Sequence, residues 1–184
     1  MSLLDVRPAV LITGLSASGK STVGDLLARH FERGVHVKGD VYRRMIVSGG
    51  VPMSAAPSEE AWRQYRLRCQ LGAATADAYH DAGFAVVVQD VIVGPVLVDY
   101  VSAIRSRPRI VVVLAPRPEV ILAREQQRSK NAYPPGEASV VVEWDAAFRR
   151  ETPALGLWLD TSDQTPLETV ATILDRGMEG GAFP

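Results

Sequence analysis

One segment leaves this chain little choice of architecture: Gly14-Leu15-Ser16-Ala17-Ser18-Gly19-Lys20-Ser21, followed by Thr22. It fits G-x-x-x-x-G-K-[ST] at every constrained position. An apolar β-rich run, Ala9 to Thr13, precedes it, and a helical pattern, Ser21 to Phe31, follows. A turn that merely reverses the chain needs a glycine or two. It needs neither a lysine nor two hydroxyls on its far side. Glycines let a backbone wrap an anion with several N–H groups pointing inward, and the helix behind adds the positive end of its dipole. In such a cradle Gly14, Ser16, Ala17, Ser18 and Gly19 bind phosphate oxygens, with Thr22 beside them. Lys20 is a point charge for the β- and γ-phosphates, and the Ser21 hydroxyl can ligate Mg²⁺. The segment points to a nucleoside triphosphate and to a strand–loop–helix unit of an open α/β sheet.

The rest of the chain continues the alternation. Strands are predicted at Val35 to Lys38, Phe84 to Asp90, Arg109 to Ala115 and Leu155 to Asp160. The first helix is predicted to end at Gly34 as a left-handed cap, and a short helical stretch to start at Asp40. After a Gly/Pro/Ser loop, Ser58 to Ala82 reads as a long helix. Trp62, Tyr65, Cys69, Gly72, Ala76 and Tyr79 recur on one of its faces, and Gly83 stops it. Further helices are predicted from Pro95 to Ser106, Pro118 to about Lys130 and Glu137 to Arg150, and from the capping box Thr165–Glu168 onward. The Gly-rich end, 177–184, is expected to fray. The fold class is therefore α/β, three-layered, with a five-stranded parallel sheet and helices on both faces. At 184 residues, with 47% hydrophobic and 22% charged residues, the chain suits one domain with a substantial core.

Three further features bear on what is done with the phosphate. Asp40 follows the second strand at the carboxyl edge, where open α/β sheets place ligands. It can take a hydroxyl proton from an acceptor, position Mg²⁺, or cap the helix that follows. Asp90 ends the third strand and reads as a metal ligand through water, a substrate contact or a turn cap. Arg124 and Arg128 lie four apart on one helix face, with Lys130 beyond and the break "NAYPPGE" next to them. That pattern suits a lid neutralising charge over a nucleotide, or a solvated helix surface. Arg117 reads as a helix-start or surface residue.

The order "GLSASGKST", "KGDVYR", "VVVQDVIVG", "LAREQQRSK" and "LDTSDQTPLETV" resembles small P-loop kinases, chloramphenicol phosphotransferase and related small-molecule kinases above all. The likeness covers most of the chain in layout. It implies a single kinase domain, 1–184, with a lid at about 117–137 and an acceptor region at about 40–82. It implies Asp40 as the base at an acceptor hydroxyl, with Arg44 nearby, and Asp90 in the substrate or metal site. Arg124 and Arg128 become lid arginines, and Thr161-Ser162-Asp163 a turn beside the adenine. ATP and Mg²⁺ are the implied cofactors, and the acceptor is an antibiotic, a sugar, a nucleoside or another metabolite.

Other classes are less well served. The net charge of -1 gives no footprint for nucleic acid or an anionic membrane. The N-terminus lacks a signal-like apolar run, so a cytoplasmic location is expected. The single cysteine, Cys69, reads as core, and His30, His36 and His80 show no shared ligand spacing. A nucleoside or nucleotide kinase is the alternative enzyme, with Arg43, Arg44, Arg63 and Arg66 available on the acceptor side. A GTPase-like regulator would need N-K-x-D and D-x-x-G segments, which the chain lacks.

Overall fold

The computed structural model describes residues 3–54, 56–127 and 138–183. Its strands are β1 (Ala9–Thr13), β2 (Gly34–Lys38), β3 (Ala85–Gln89), β4 (Arg109–Leu114), β5 (Leu157–Leu159) and β6 (Ala182–Phe183). Its helices are α1 (Lys20–Ala28), α2 (Asp40–Arg44), α3 (Glu59–Asp81), α4 (Val96–Ala103), α5 (Pro118–Gln126), α6 (Ala138–Glu151) and α7 (Pro166–Gly180). Five strands run parallel in the order β2-β3-β1-β4-β5, and β6 pairs with β4 antiparallel. Among the described residues, no helix is long and apolar enough to cross a membrane.

The strand pleat divides the core. Ala9 and Leu11 of β1 join Val86, Val88, Val111 and Val113 on one face, under Tyr65, Cys69, Leu97 and Phe148. Val10 and Ile12 join Val87, Ile110, Val112 and Leu114 on the other, under Val23, Leu27, Val170 and Ile173. Side chains that alternate between two covered faces must all be apolar, hence the continuous runs of valine and isoleucine. Each Val or Leu taken out of water is worth roughly 1.5–3 kcal/mol, which makes this layer the main source of stability.

Several boundaries differ from expectation, each for a local reason. Helix α1 stops at Ala28, and Gly34 opens β2 instead of capping the helix; a Cβ at Gly34 would overlap the Ala28 carbonyl. Tyr65, Cys69, Gly72 and Ala76 of the expected α3 face are buried and are joined by Ala61 and Ala73, whereas Tyr79 is 43% exposed. The expected frayed end is ordered: α7 reaches Gly180, and β6 follows. Strand β5 is short and pairs only with Val112–Leu114, which leaves Arg109 and Ile110 of β4 to bond β6. The buried Arg109 guanidinium then lies 4.9 Å from the Phe183 ring centre and donates to the Val101 and Ile104 carbonyls. Arg128, Lys130 and the break that follows lie outside the described residues.

His36 of β2 makes the fold acid-sensitive. Its ring packs against Gly24 of α1 with neither nitrogen hydrogen-bonded. Burial, helped by Lys38 and opposed by Asp25, holds its pKa down at about 4. A depressed histidine stabilises the fold fully above its unfolded pKa, about 6.5, and loses that contribution as pH falls through the folded value. Asp90, whose pKa burial raises, acts in the opposite sense. Melting temperature is expected to fall between pH 6.5 and 4.5 in the wild type, and less steeply in His36→Leu. Equal slopes in thermal melts of the two proteins would remove His36 from the account.

Candidate active site

The turn after β1 is shaped by backbone conformations few residues tolerate. Gly14 (φ 146°), Ala17 (φ 61°) and Gly19 (φ 101°) all have positive φ. A Cβ on Gly14 would also overlap the Leu114 carbonyl of β4, so the loop hugs the sheet edge. Gly19 caps α1 without a side-chain hydrogen bond, and the first-turn N–H groups of a helix have no partner within the helix. The Lys20 ammonium is buried; it donates to the Leu15 carbonyl at 2.6 Å and lies 3.5 Å from Ser18 Oγ. Ser21 and Thr22 are exposed at the first turn of α1. This donor set fits a triphosphate: helix N-terminal N–H groups, one cation and two hydroxyls at one turn.

The strand ends align beside it. The Gly39 N–H donates to the Gln89 carbonyl at 2.9 Å, and the Asp90 N–H to the Ile12 carbonyl at 3.2 Å. That ladder brings Asp40, Asp90 and the phosphate loop to one carboxyl edge. Asp40 accepts from Arg43 Nε at 3.0 Å and from Arg44, which places Arg44 beside it. Burial pushes the Asp40 carboxyl up, but the hydrogen bonds from Arg43 and Arg44 outweigh it and hold it below the usual carboxylate range. It stays ionised at neutral pH, ready to accept a hydroxyl proton bond.

Asp90 has a different setting. Its Oδ2 is 2.9 Å from Arg68 Nε in a poorly aligned ion pair, and its Oδ1 accepts from the Val91 N–H at 2.7 Å. Burial raises its pKa, while the charges of Arg68 and Lys20 pull it down. Gly39 carries no Cβ because one would overlap this carboxylate. Asp90 thus packs under the backbone that presents Asp40, with Arg68 as its charge partner. Among the described residues, no three His, Cys, Asp or Glu side chains gather to hold a metal ion.

Arg124 of α5 ties the far side together. It donates to the Ser18 carbonyl at 3.2 Å and the Thr161 carbonyl at 3.0 Å, joining the phosphate loop to the turn at 160–163. Thr161 is buried, whereas Ser162 and Asp163 face α5. The Ser162 hydroxyl accepts from the Arg117 N–H, and Asp163 receives both Arg117 terminal nitrogens at 2.9 and 3.0 Å. Arg117 is the helix-start residue expected, the N-cap of α5 with an exposed side chain, and it also ties that helix to the 160–163 turn. Arg68 was also missed, although 61, 65, 68 and 72 share one helical face and an arginine among those apolar positions needs a buried partner.

Comparison with known proteins bears on the family and the fold. The sequence profile of the AAA domain family matches residues 10–142. No curated protein sequence matches. Solved structures of similar fold include a sugar kinase from a Janibacter species, with 18% identity, coverage of 94% of this chain and 96% of that one, and a TM-score of 0.64. The tunicamycin resistance protein of Deinococcus radiodurans has 13% identity, coverage of 97% and 99%, and a TM-score of 0.66. Shikimate kinase from Acinetobacter baumannii, in complex with shikimate, has 16% identity, coverage of 94% and 93%, and a TM-score of 0.58.

Proposed function

This chain belongs to the AAA domain family and has the fold of small P-loop kinases, and from that premise we propose that it transfers the γ-phosphoryl group of ATP to a hydroxyl of a small molecule. One observation carries the reading: the Gly14–Ser21 cradle and the ionised Asp40 share a single sheet edge. Phosphoryl transfer asks little covalent chemistry of a protein; it asks for positioning and for charge opposite the transferring group. Lys20 takes the β- and γ-phosphates, Arg124 and Arg128 neutralise charge from the lid, and Asp40 orients the attacking hydroxyl. The cradle residues Gly14, Ser16, Ala17, Ser18, Gly19, Ser21 and Thr22 hold the phosphates, and Thr161, Ser162 and Asp163 flank the base.

Mg²⁺ would be held by the Ser21 hydroxyl and arrive with the nucleotide, supplying charge neutralisation across the phosphate oxygens. Asp90, engaged by Arg68, is better placed to support Asp40 than to bind the ion. ATP as donor suits a cytoplasmic enzyme. The kinase names of the neighbours support the reaction class. Of the four arginines considered for a nucleotide acceptor, Arg43 and Arg44 pair with Asp40 and Arg63 with Glu60. ADP release in the presence of Mg²⁺, measured across a panel of hydroxyl compounds, tests the proposal. At least one compound is expected to accelerate release many-fold. Tight nucleotide binding with the same slow release whatever is added would favour a nucleotide-binding regulator.

A further inference from the structure

Between α2 and α3 lies an open groove of about 160 Å³, walled by Met45, Ile46, Val51, Met53, Leu67 and Leu71. Apart from Ile46, all of these are markedly exposed, from Val51 at 38% to Met45 at 64%. Exposed apolar side chains scattered singly mean little, but gathered in one concavity they mark a ligand site. The groove adjoins Asp40, because Arg43 in its wall donates to the Asp40 carboxylate. A molecule seated there has one end at the carboxylate that handles hydroxyls.

The polar side chains of the wall are occupied within the protein. Gln64 uses both ends of its amide: Nε2 donates to the Gly49 carbonyl at 2.8 Å and to Glu60 at 2.9 Å, while Oε1 accepts from the Val51 N–H at 2.9 Å. These bonds also pin the 49–51 loop to α3, so the groove is shaped in advance. The Tyr65 hydroxyl donates to the Val91 carbonyl at 3.1 Å. Among the described residues, both cations of the wall are paired, Arg43 with Asp40 and Arg68 with Asp90. A phosphate or carboxylate on the acceptor would meet no uncommitted charge, and the hydroxyls of a sugar would face thioethers and alkyl groups. Apolar cavities near this size, about 150 Å³, take up a benzene ring.

Building on the phosphotransferase reading, we infer that the acceptor is an uncharged small molecule with an aromatic or branched-alkyl body seated in this groove and its hydroxyl turned to Asp40. The hydroxyl oxygen bonds to the γ-phosphorus as the bond to the β–γ bridging oxygen breaks. ADP leaves, and the hydroxyl proton passes to Asp40 and on to water.

The test uses the full chain and a panel in two halves: neutral aryl and branched-alkyl alcohols such as 2-naphthylmethanol, and glucose, gluconate and a nucleoside monophosphate. Binding by calorimetry with a non-hydrolysable ATP analogue, and phosphate transfer from ATP, are both measured. The neutral alcohols are expected to bind and be phosphorylated. Leu67→Asp and Leu71→Asp, exposed positions whose folding is checked by thermal melts, are expected to weaken that binding about tenfold or more without changing nucleotide affinity. Transfer to the polar half alone, untouched by these variants, overturns the inference while the kinase reading stands. Failure of every neutral alcohol to bind also overturns it. Alcohol binding weakened by the two variants, without transfer to any compound, retains the groove as an apolar ligand site and removes the kinase.

Discussion

Replacing Lys20 by alanine is expected to lower phosphoryl transfer by roughly 10²–10³-fold, the usual effect of deleting one preorganised charge from a transition state, while leaving the fold intact. Lys20 opens α1 at the mouth of the Gly14–Gly19 turn, and its ammonium is held at the Leu15 carbonyl, 2.6 Å away. That carbonyl also accepts from the Ser18 N–H at 3.2 Å, so it keeps a partner when the lysine is shortened. The variant should melt close to the wild-type temperature, lose affinity for ATP and lose turnover. A variant that turned over at wild-type rate would remove Lys20 from the phosphate site. One that failed to fold would show Lys20 to be structural.

The second large effect is expected from Asp40→Asn. A positioned general base contributes about 10²–10⁴-fold, so kcat should fall within that range. Nucleotide affinity should not change, because Asp40 binds Arg43 and Arg44 rather than the cradle. A parallel fall in ATP affinity would assign Asp40 to the metal or to structure. The pH profile carries a second sign. Burial opposes Arg43 and Arg44 but loses, so the carboxyl titrates below its ordinary value. The wild-type rate should therefore hold on the acid side down through the ordinary aspartate range, about 4. An acid limb near neutrality in kcat would have to come from another group.

The parts of this molecule legible in its sequence are those fixed by local chemistry. The cradle could be read because its positive-φ turn, its lysine and its hydroxyls are consecutive. The doubly covered strands β3 and β4 could be read because both faces demand apolar residues. The capping box at Thr165–Glu168 is present as read, with the bonds in both directions. What escaped depends on register between distant elements. Asp90 reads in the sequence as a metal ligand, a substrate contact or a turn cap, and only the packing of α3 on β3 brings Arg68 to it. Arg117 meets Asp163 across forty-six positions. Strand β6 exists because β5 is too short to cover the edge of β4, a fact carried by neither segment alone. The apolar groove is likewise a property of three segments, 42–46, 51–53 and 61–71, that no single periodicity describes.

The most direct measurement follows the γ-phosphate itself. ATP labelled at that phosphate is incubated with Mg²⁺, the protein and the best acceptor of the panel, and the label is traced by mass. The account predicts that the label moves to the acceptor hydroxyl in equal amount to the ADP formed, and that Lys20→Ala and Asp40→Asn each slow the transfer by about 10²-fold or more. Label appearing only in inorganic phosphate, at a rate no acceptor changes, would contradict it.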